Sequence, residues 1–395
     1  MRFASVTDRL ADLGAAKWAV HREARRRVLS GHDIIELAIG EPDTPAPQAL
    51  IDAAIASLQA RRTKYSGGRG ETSVLEAIAA KYARRTGRAI TTDNAAYMPG
   101  TQTALYTVIS ALAEAGNEVL VGDPLYATYE GVIRASGADM VLVPLDPAKG
   151  FHLQAEDLEA RITPRSRVLL LNSPHNPTGA TLTHDEIAAI VDVCVRHDLW
   201  IVSDEVYETM AYGSPFVSPF DMPEAAERTV VVSSISKSHM LPGMRAGWCV
   251  GPVDFIERML PLSEMMLFGG QPFIQDMAAF ALSAEFDECA KMVESFRSRA
   301  EILPEVLANA PGLRCSKPEG GMFAMVDVTG TGLDGENFAW RLLNEENVAV
   351  MPGSSFGQQA AGHIRVSLSA DADQLREAAA RMVRLAIRLT QGKAA

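Results

Sequence analysis

Short apolar runs and longer segments with helical spacing of apolar positions alternate along the chain. The short runs are rich in valine, isoleucine and leucine, which predicts buried strands at 118–121, 141–145, 167–171, 199–202 and 229–232. Amphipathic segments between the runs predict helices, including 47–61 and 99–115. Strands that alternate with helices are typical of an α/β fold with a mostly parallel sheet between helices.

The two ends of the chain predict a second, smaller domain. Residues 1–32 form a predicted helical arm, and 33–39 form a predicted strand that stops at a Gly-Glu-Pro-Asp turn. Towards the other end, a long helix over 275–309 is expected to link the domains. Strand-and-turn patterns of a small α+β domain occupy 320–326, 348–357 and 363–369.

These patterns give a domain prediction. Residues 1–44 are the N-terminal arm and part of the small domain, 45–288 the large domain, and 289–395 the C-terminal small domain. A chain of 395 residues is long enough for one large core and a smaller second domain.

The composition argues against several classes of protein. A formal net charge of −12 argues against nucleic acid as a partner, because binding a phosphate backbone needs a basic face. The four cysteines lack the spacing of a zinc site or a disulfide framework. No stretch approaches the roughly 20 apolar residues of a membrane span. We therefore expect a cytoplasmic protein with no metal and no membrane partner.

Polar residues follow four of the predicted strands, near positions 122, 172, 203 and 233. Because the carboxyl ends of parallel strands meet at one edge of a sheet, these residues predict a single ligand site. Lys237 lies in the loop after the last of these strands, near Ser234, Ser236 and Arg245. Such a lysine can form a Schiff base while its neighbours hold an anion, although a surface lysine fits this stretch alone equally well.

Three acidic residues after the strand at 199–202 raise the question of a metal site. Asp204, Glu205 and Glu208 all carry oxygen ligands. Strand alternation sends the first two to opposite faces, which weakens the metal interpretation.

The sequence around Lys237 resembles the cofactor-lysine signature of class I/II aminotransferases, which are pyridoxal-phosphate enzymes of fold type I. The signature reads Ser-x-Ser-Lys and then Gly-x-Arg-x-Gly. The resemblance implies that Lys237 holds pyridoxal 5'-phosphate in a Schiff base. It also implies that Ser234 and Arg245 bind the phosphate, with Ser236 beside them, and that the large domain contains a seven-stranded-type sheet.

Two further motifs imply the contacts of the cofactor ring. In the Asn-Pro-x-Gly motif, Asn176 would bond the phenolic oxygen. In the Asp-Glu-x-Tyr motif, Asp204 would pair with the protonated ring nitrogen and Tyr207 would donate to the phenolic oxygen. Tyr126 matches the aromatic residue that lies against the ring.

The resemblance also implies the remaining contacts of the cofactor phosphate. The helix that begins around Gly100, Thr101 and Gln102 presents free N–H groups, and the family uses this helix start for the phosphate. Tyr65 matches a tyrosine that reaches the phosphate of a partner subunit. The resemblance therefore implies a homodimer whose sites are shared between subunits.

Amino acids and 2-oxo acids are the implied substrates. Arg365, in an Ile-Arg-x-Ser motif, would clamp the α-carboxylate with two parallel hydrogen bonds. Gly40 and Asn176 are expected beside that carboxylate. The side-chain pocket is expected to involve residues near Trp18, Tyr126 and the segment 265–268.

The implied activity is transfer of the amino group of an L-amino acid to a 2-oxo acid, in two half-reactions through Lys237. A C–S β-lyase shares the same motifs and is the alternative. A cofactor-binding transcription factor would need a helix-turn-helix module, for which the segment before the first strand is too short. The residues after Lys237 and the loop at 268–271 bear a slight resemblance to arginine–pyruvate aminotransferases, and the sequence itself leaves donor and acceptor open.

Overall fold

The strands of the chain come in two groups, one in the middle of the sequence and one near its end. A computed structural model describes residues 2–11, 13–14 and 17–391. The strands of the described residues are β1 (Ile35–Glu36), β2 (Ala95–Met98), β3 (Glu118–Asp123), β4 (Asp139–Pro144), β5 (Ser166–Asn172), β6 (Trp200–Asp204), β7 (Thr229–Ser234), β8 (Gly247–Val250), β9 (Arg314–Cys315), β10 (Phe323–Asp327), β11 (Val348–Ala349), β12 (Met351–Pro352) and β13 (His363–Ser367).

Helices separate most of the strands. Within the described residues they are α1 (Ser5–Arg9), α2 (Ala19–Leu29), α3 (Gln48–Gln59), α4 (Thr72–Thr86), α5 (Thr101–Leu112), α6 (Tyr129–Ser136), α7 (Ala155–Glu159), α8 (His184–Arg196), α9 (Ile235–Ser238), α10 (Val253–Leu267), α11 (Pro272–Ser283), α12 (Asp287–Arg299), α13 (Ile302–Leu307), α14 (Gly335–Glu346) and α15 (Ala372–Gln391). No helix of these residues is both long and apolar enough to cross a membrane.

The central sheet has seven strands in the order β2-β8-β7-β6-β5-β3-β4. Neighbouring strands from β7 through β6, β5 and β3 to β4 pair in parallel, and β8 is antiparallel to both β2 and β7. The predicted α/β class with a mostly parallel sheet is confirmed. All five strands predicted in this region lie in the sheet, with ends shifted by at most two residues.

Both faces of this sheet are buried, which explains the continuous apolar runs of its strands. In β3, Val119 and Val121 pack into one hydrophobic cluster with α5 and α10. Leu120, between them, points to the other face and packs into a cluster with α8. Because the side chains of a strand alternate, each apolar run supplies both cores.

A smaller antiparallel sheet, in the order β12-β13-β10-β9, lies in the C-terminal part. Its core also contains Val20 and Ala24 of α2, which pack with residues of α14 and α15. The N-terminal arm therefore shares a core with the end of the chain. The domain limits 1–44, 45–288 and 289–395 stay a prediction.

The predicted strand over 33–39 is wrong in extent. Only Ile35–Glu36 pairs as a strand, parallel to β11. The carbonyl groups of Ala38 and Gly40 instead accept hydrogen bonds from the side chains of Arg365 and Lys237. The backbone leaves the sheet because its polar groups serve these two side chains. Of the predicted arm over 1–32, residues 1, 12, 15 and 16 lie outside the described residues, and the rest contains α1 and α2.

The predicted helix over 275–309 is also wrong, because three helices occupy this segment: α11, α12 and α13. Pro304 lies in the first turn of α13, where its missing N–H would have no partner in any case. A single helix would have put this proline in the interior. Between α11 and α12, Ala284 and Phe286 are extended, and the Phe286 ring packs edge-on against Phe280. The sequence patterns do not predict β2 and β8, because their sequences, Ala-Ala-Tyr-Met and Gly-Trp-Cys-Val, lack a run of β-branched residues.

A histidine bridges the central sheet region to the segment before β10. His152 contacts a carboxylate oxygen of Glu186 at 2.8 Å through Nδ1 and one of Glu319 at 2.9 Å through Nε2. Glu319 also accepts the backbone N–H of Thr181. The contact with Glu319 makes the largest contribution, and together the two contacts raise the pKa of His152 from 6.5 to about 9.

We expect this bridge to make stability depend on pH. The raised pKa means that its contribution is fully present below pH 6.5 and is lost as the pH rises through about 9. His152→Gln should therefore lower the melting temperature near pH 6 more than near pH 10, by the equivalent of about 1 kcal/mol after solvent screening. Thermal unfolding at both pH values measures this, with the exposed His184→Gln as control. An equal decrease at both pH values would contradict it.

Candidate active site

A cavity of about 210 Å³ opens where the carboxyl ends of the parallel strands meet β13 and the segment after β1. Most residues predicted for the site from the sequence line it. They are Gly40, Thr101, Gln102, Tyr126, Asn176, Asp204, Tyr207, Ser234, Ser236, Lys237, Arg245 and Arg365. Trp18, near which the side-chain pocket was predicted, also lines the cavity.

Lys237 lies in α9, one short turn after β7 ends. Ser234 caps this turn, and its hydroxyl accepts the backbone N–H of Ser236 at 3.3 Å. The Lys237 Nζ donates to the carbonyl oxygen of Gly40 at 2.7 Å. Burial lowers the pKa of this amine to about 8, the charge of Glu41 opposes that shift, and Arg365 and Arg245 add to it. The Lys237 amine therefore loses its proton at a lower pH than an ordinary lysine, and the neutral amine is the nucleophile.

Asp204 is the last residue of β6 and is almost fully buried. Its Oδ2 accepts the hydroxyl of Tyr129 at 2.7 Å, and its Oδ1 accepts the backbone N–H of Val206 at 3.2 Å. Burial raises the pKa of this carboxyl to about 6, and the two hydrogen bonds hold it below the value that burial alone would give. No ion pair joins Asp204 to a cation anywhere in the described residues.

Arg365 projects from β13 and is also buried. Its guanidinium lies between the rings of Phe323 and Phe356, at 4.0 and 4.2 Å from their centroids. Nη1 donates to Asn176 Oδ1 at 3.0 Å and Nη2 to the Ala38 carbonyl at 2.6 Å, whereas the buried Nε has no hydrogen-bond partner in the described chain. Burial lowers the pKa of Arg365 to about 9, so it stays charged at neutral pH.

Several groups at one end of the cavity could bind an anion. The helix α5 begins at Thr101, whose buried Oγ1 has no hydrogen-bond partner among the described residues. Gly100 has φ +84°, and a Cβ there would lie 2.4 Å from Arg245 Nη2, so only glycine lets that guanidinium approach. Free N–H groups, hydroxyls and a guanidinium form a donor set suited to phosphate.

The sides of the cavity are aromatic and polar. Tyr207 is buried in the wall that Asn176 also lines, and burial raises its pKa. Tyr126 packs edge-on against Tyr129, with 5.4 Å between ring centroids. Gln102 lies opposite and accepts the hydroxyl of Thr128 at 2.8 Å.

Tyr65 is the predicted site residue that the chain does not bring to the cavity. Its side chain is 85 % exposed and packs edge-on against Phe268, with 5.0 Å between ring centroids. These two rings line a separate surface groove together with residues 269–273. Tyr65 is therefore not among the described residues that line the cavity of its own chain.

The sequence patterns do not predict two residues of the cavity wall, Tyr129 and Asn172. Tyr129 bonds Asp204, and Asn172 bonds the Asp204 carbonyl through Nδ2 at 3.0 Å and the Asn176 N–H through Oδ1 at 2.9 Å. Asn172 was detectable, since it ends a predicted strand. Nothing in the sequence links Tyr129 to Asp204, which lies 75 positions away.

The metal interpretation is not supported by the acidic residues after β6. The carboxylates of Glu205 and Glu208 both accept hydrogen bonds from Arg85 Nη1, at 2.7 and 3.0 Å. Within the described residues there is no group of three His, Cys, Asp or Glu side chains that could hold a metal ion.

Comparison with known proteins agrees with the geometry. The sequence model of the family "Aminotransferase class I and II" matches residues 32–382. An arginine–pyruvate transaminase of Pseudomonas aeruginosa is 44% identical over 389 residues, which is 98% of this chain and 99% of the relative. An aspartate aminotransferase of Geobacillus stearothermophilus is 33% identical over 94% of this chain and 95% of its own length.

A solved structure gives the same result for the fold. A double mutant of the Thermus thermophilus aspartate aminotransferase superposes with a TM-score of 0.91 at 32% identity, over 98% of this chain and 100% of that chain. The names of these relatives support an aminotransferase and give no support to the lyase alternative. The matched family, the identity over nearly the full length and the shared fold show that this chain belongs to the class I and II aminotransferases and is an aminotransferase.

Proposed function

We propose that this aminotransferase binds pyridoxal 5'-phosphate in the cavity and moves the amino group of an L-amino acid to a 2-oxo acid. One observation carries the proposal: the amine of Lys237, the carboxylate of Asp204 and the guanidinium of Arg365 all line one cavity. A cofactor that forms an imine, carries a protonated ring nitrogen and accepts an amino acid needs these three groups.

The residues present fit this cofactor. Asp204 is buried, and its pKa is raised to about 6. Its described partners are two hydrogen-bond donors and no cation, so a cationic ring nitrogen would supply the missing opposite charge. The unpartnered hydroxyl of Thr101, the guanidinium of Arg245 and the hydroxyls of Ser234 and Ser236 suit a phosphate.

Each residue then has a defined role. When bound, the cofactor supplies a protonated ring that withdraws electrons from the substrate carbon. The carboxylate of Asp204 stabilises the proton on the ring nitrogen, because an opposite charge favours the charged form. Asn176 and Tyr207 would donate hydrogen bonds to the phenolic oxygen, and Tyr126 would lie against the ring.

Lys237 and Arg365 would act on the substrate. The neutral Nζ of Lys237 can take a proton from the α-carbon of the donor and later release it to a different carbon. Its pKa of about 8 lies close to neutral pH, so the same group can act first as a base and then as an acid. Arg365 would hold the α-carboxylate, exchanging its present bonds to Asn176 and Ala38 for bonds to the substrate.

The charges of the cavity bear on the choice of donor. Lys237, Arg245 and Arg365 are the lysine and arginine side chains in its described lining, and each already has a role with the cofactor or the α-carboxylate. A second carboxylate on the donor would find no further lysine or arginine in the described lining of the cavity. We therefore propose a donor with a neutral or cationic side chain, and arginine with pyruvate is the first pair to test because the 44% identical relative bears that name.

A homodimer is part of the proposal. Tyr65, Met265 and Phe268 are large apolar side chains with exposed fractions of 85, 81 and 67 %. Exposed apolar patches of this kind are typical of protein interfaces. On this proposal, Tyr65 donates its hydroxyl to the cofactor phosphate of the partner subunit.

The lowered pKa of Lys237 gives a direct test. In protein freed of cofactor, the rate of acylation of Lys237 by an amine-reactive reagent should rise with pH and level off just above its pKa of about 8. Peptide mass spectrometry after short labelling at a series of pH values measures this rate. The exposed Lys64, labelled in the same samples, is the internal control for the reagent. Identical profiles for both lysines would contradict the assignment.

The activity itself is tested with half-reactions. Single L-amino acids, arginine first and aspartate for comparison, are added to the purified enzyme without a 2-oxo acid, and the visible absorbance of the cofactor is followed. We expect arginine to remove the absorbance band and pyruvate to restore it, and Lys237→Ala should abolish turnover, because no other amine in the cavity can replace its Nζ.

Three results would contradict this assignment. A stable band with release of pyruvate and ammonia would favour the lyase. Normal turnover by Lys237→Ala would remove this lysine from the chemistry. An enzyme that binds no pyridoxal phosphate would overturn the proposed function.

Tyr65 is tested through assembly and cofactor binding. Tyr65→Phe should keep the dimer, because the ring remains, but weaken cofactor binding about tenfold through the loss of one hydrogen bond to a charged group. Light scattering and equilibrium dialysis measure the two effects, and Tyr106→Phe is the control. A fully active wild-type monomer would exclude Tyr65 as a ligand from the partner.

A further inference from the structure

The contact between Tyr129 and Asp204 has no role in the reaction described so far. Tyr129 is the first residue of α6 and is 1 % exposed, so its ring and hydroxyl lie within the core. The hydroxyl lies 2.7 Å from Asp204 Oδ2. Asp204 itself ends β6, and its other carboxylate oxygen accepts the Val206 N–H at 3.2 Å.

The surrounding structure leaves Tyr129 little freedom. Its ring packs edge-on against Tyr126 at an interplanar angle of 89°, and its backbone N–H bonds the Tyr126 carbonyl at 2.9 Å. On the opposite side, Asn172 fixes the backbone of Asp204 through the bond to its carbonyl. Both partners of the hydrogen bond are therefore held by neighbours, so the carboxylate has one preferred orientation.

The charge of Asp204 depends on its hydrogen bonds. The side chains of Lys237, Arg245 and Arg365 line the same cavity, but none of them forms an ion pair with Asp204 in the described chain. In a buried site, a carboxylate without donors would take up a proton. Tyr129 is suited to donate because burial raises its own pKa well above the ordinary value, which keeps it protonated.

We propose that Tyr129 is a positioning residue that fixes the orientation of the Asp204 carboxylate and keeps it ionised for the ring nitrogen of the cofactor. The inference rests on the proposed function, because it assumes that pyridoxal phosphate binds against Asp204. It adds a group that acts on the cofactor through Asp204 and does not itself touch the substrate.

The titratable groups around Asp204 decide what a pH measurement reports. They come from α6 and the segment before it, from the loop after β6 and from the rest of the cavity lining: Tyr129, Tyr126, Tyr207, Lys237, Arg245 and Arg365. The pKa of Lys237 is lowered only to about 8 and those of Tyr129 and Tyr207 are raised by burial, so the titration of Asp204 near 6 can be followed separately from theirs.

The test removes the hydroxyl and keeps the ring. Tyr129→Phe is compared with wild-type enzyme, with Asp204→Asn and with the double variant. Tyr106→Phe is the matched control, since Tyr106 packs against the same hydrophobic cluster and its hydroxyl makes no hydrogen bond in the described structure. Thermal unfolding verifies that each variant is folded.

Two readouts are independent of turnover. The first is the dissociation constant of pyridoxal phosphate by equilibrium dialysis. The second is the ¹⁵N chemical shift of a labelled cofactor ring, which reports the protonation of its nitrogen across pH. We expect Tyr129→Phe to weaken binding about tenfold or more and to move loss of the ring proton to lower pH, because hydrogen bonds to charged groups are the stronger ones.

The pH profile of kcat completes the experiment. Without the hydroxyl the pKa of Asp204 should rise, so the acid limb of kcat should move to higher pH while KM for the donor changes little. In the Asp204→Asn background the further loss of the Tyr129 hydroxyl should have no effect, because a group that acts only through Asp204 has nothing left to act on.

Three outcomes overturn the inference. One is a Tyr129→Phe enzyme that matches Tyr106→Phe in both cofactor affinity and ¹⁵N titration. Another is an equal loss of affinity from Tyr129→Phe with and without Asp204→Asn, which would indicate a packing role. A wild-type enzyme that binds no cofactor would overturn the proposed function and this inference together, whereas the first two leave the proposed function intact.

Discussion

The burial of three charged side chains around one cavity is the constraint on which the rest of this structure depends. Asp204 and Arg365 are 3 and 2 % exposed, and the amine of Lys237 is largely shielded from water. Each of them would be costly without partners. The chain therefore supplies a tyrosine hydroxyl for the carboxylate, two aromatic faces for the guanidinium and a backbone carbonyl for the amine.

This arrangement explains features that look unrelated in the fold. The segment after β1 leaves its strand because Ala38 and Gly40 give their carbonyls to Arg365 and Lys237. Gly40 lacks a side chain because a Cβ there would meet the ring of Phe323 at 2.1 Å, and that ring packs on Arg365. The N-terminal arm, the small sheet and the central sheet thus meet at the same set of polar contacts.

The burial of these groups also changes their acid–base properties. Burial, together with nearby charges and hydrogen bonds, brings the pKa of Lys237 down to about 8 and that of Asp204 up to about 6, so both groups change protonation within reach of neutral pH. Perturbed pKa values of opposite direction in one cavity are typical of acid–base chemistry. The hydrogen bonds that stabilise the site therefore also decide which protonation states are available.

The sequence by itself determined the α/β class, the five parallel strands and most of the residues that line the cavity, because strand ends and motifs are local patterns. Only the tertiary structure decided the partners of those residues. The stacking of Phe323 and Phe356 on Arg365, and the bond from Tyr129 to Asp204, join positions far apart in the chain. Likewise, the short β1 goes with polar contacts to distant side chains, and the gap between α11 and α12 goes with the packing of Phe286 against Phe280. Local periodicity contains no information about such contacts, since it describes only the face on which a residue lies and not the group that it meets there.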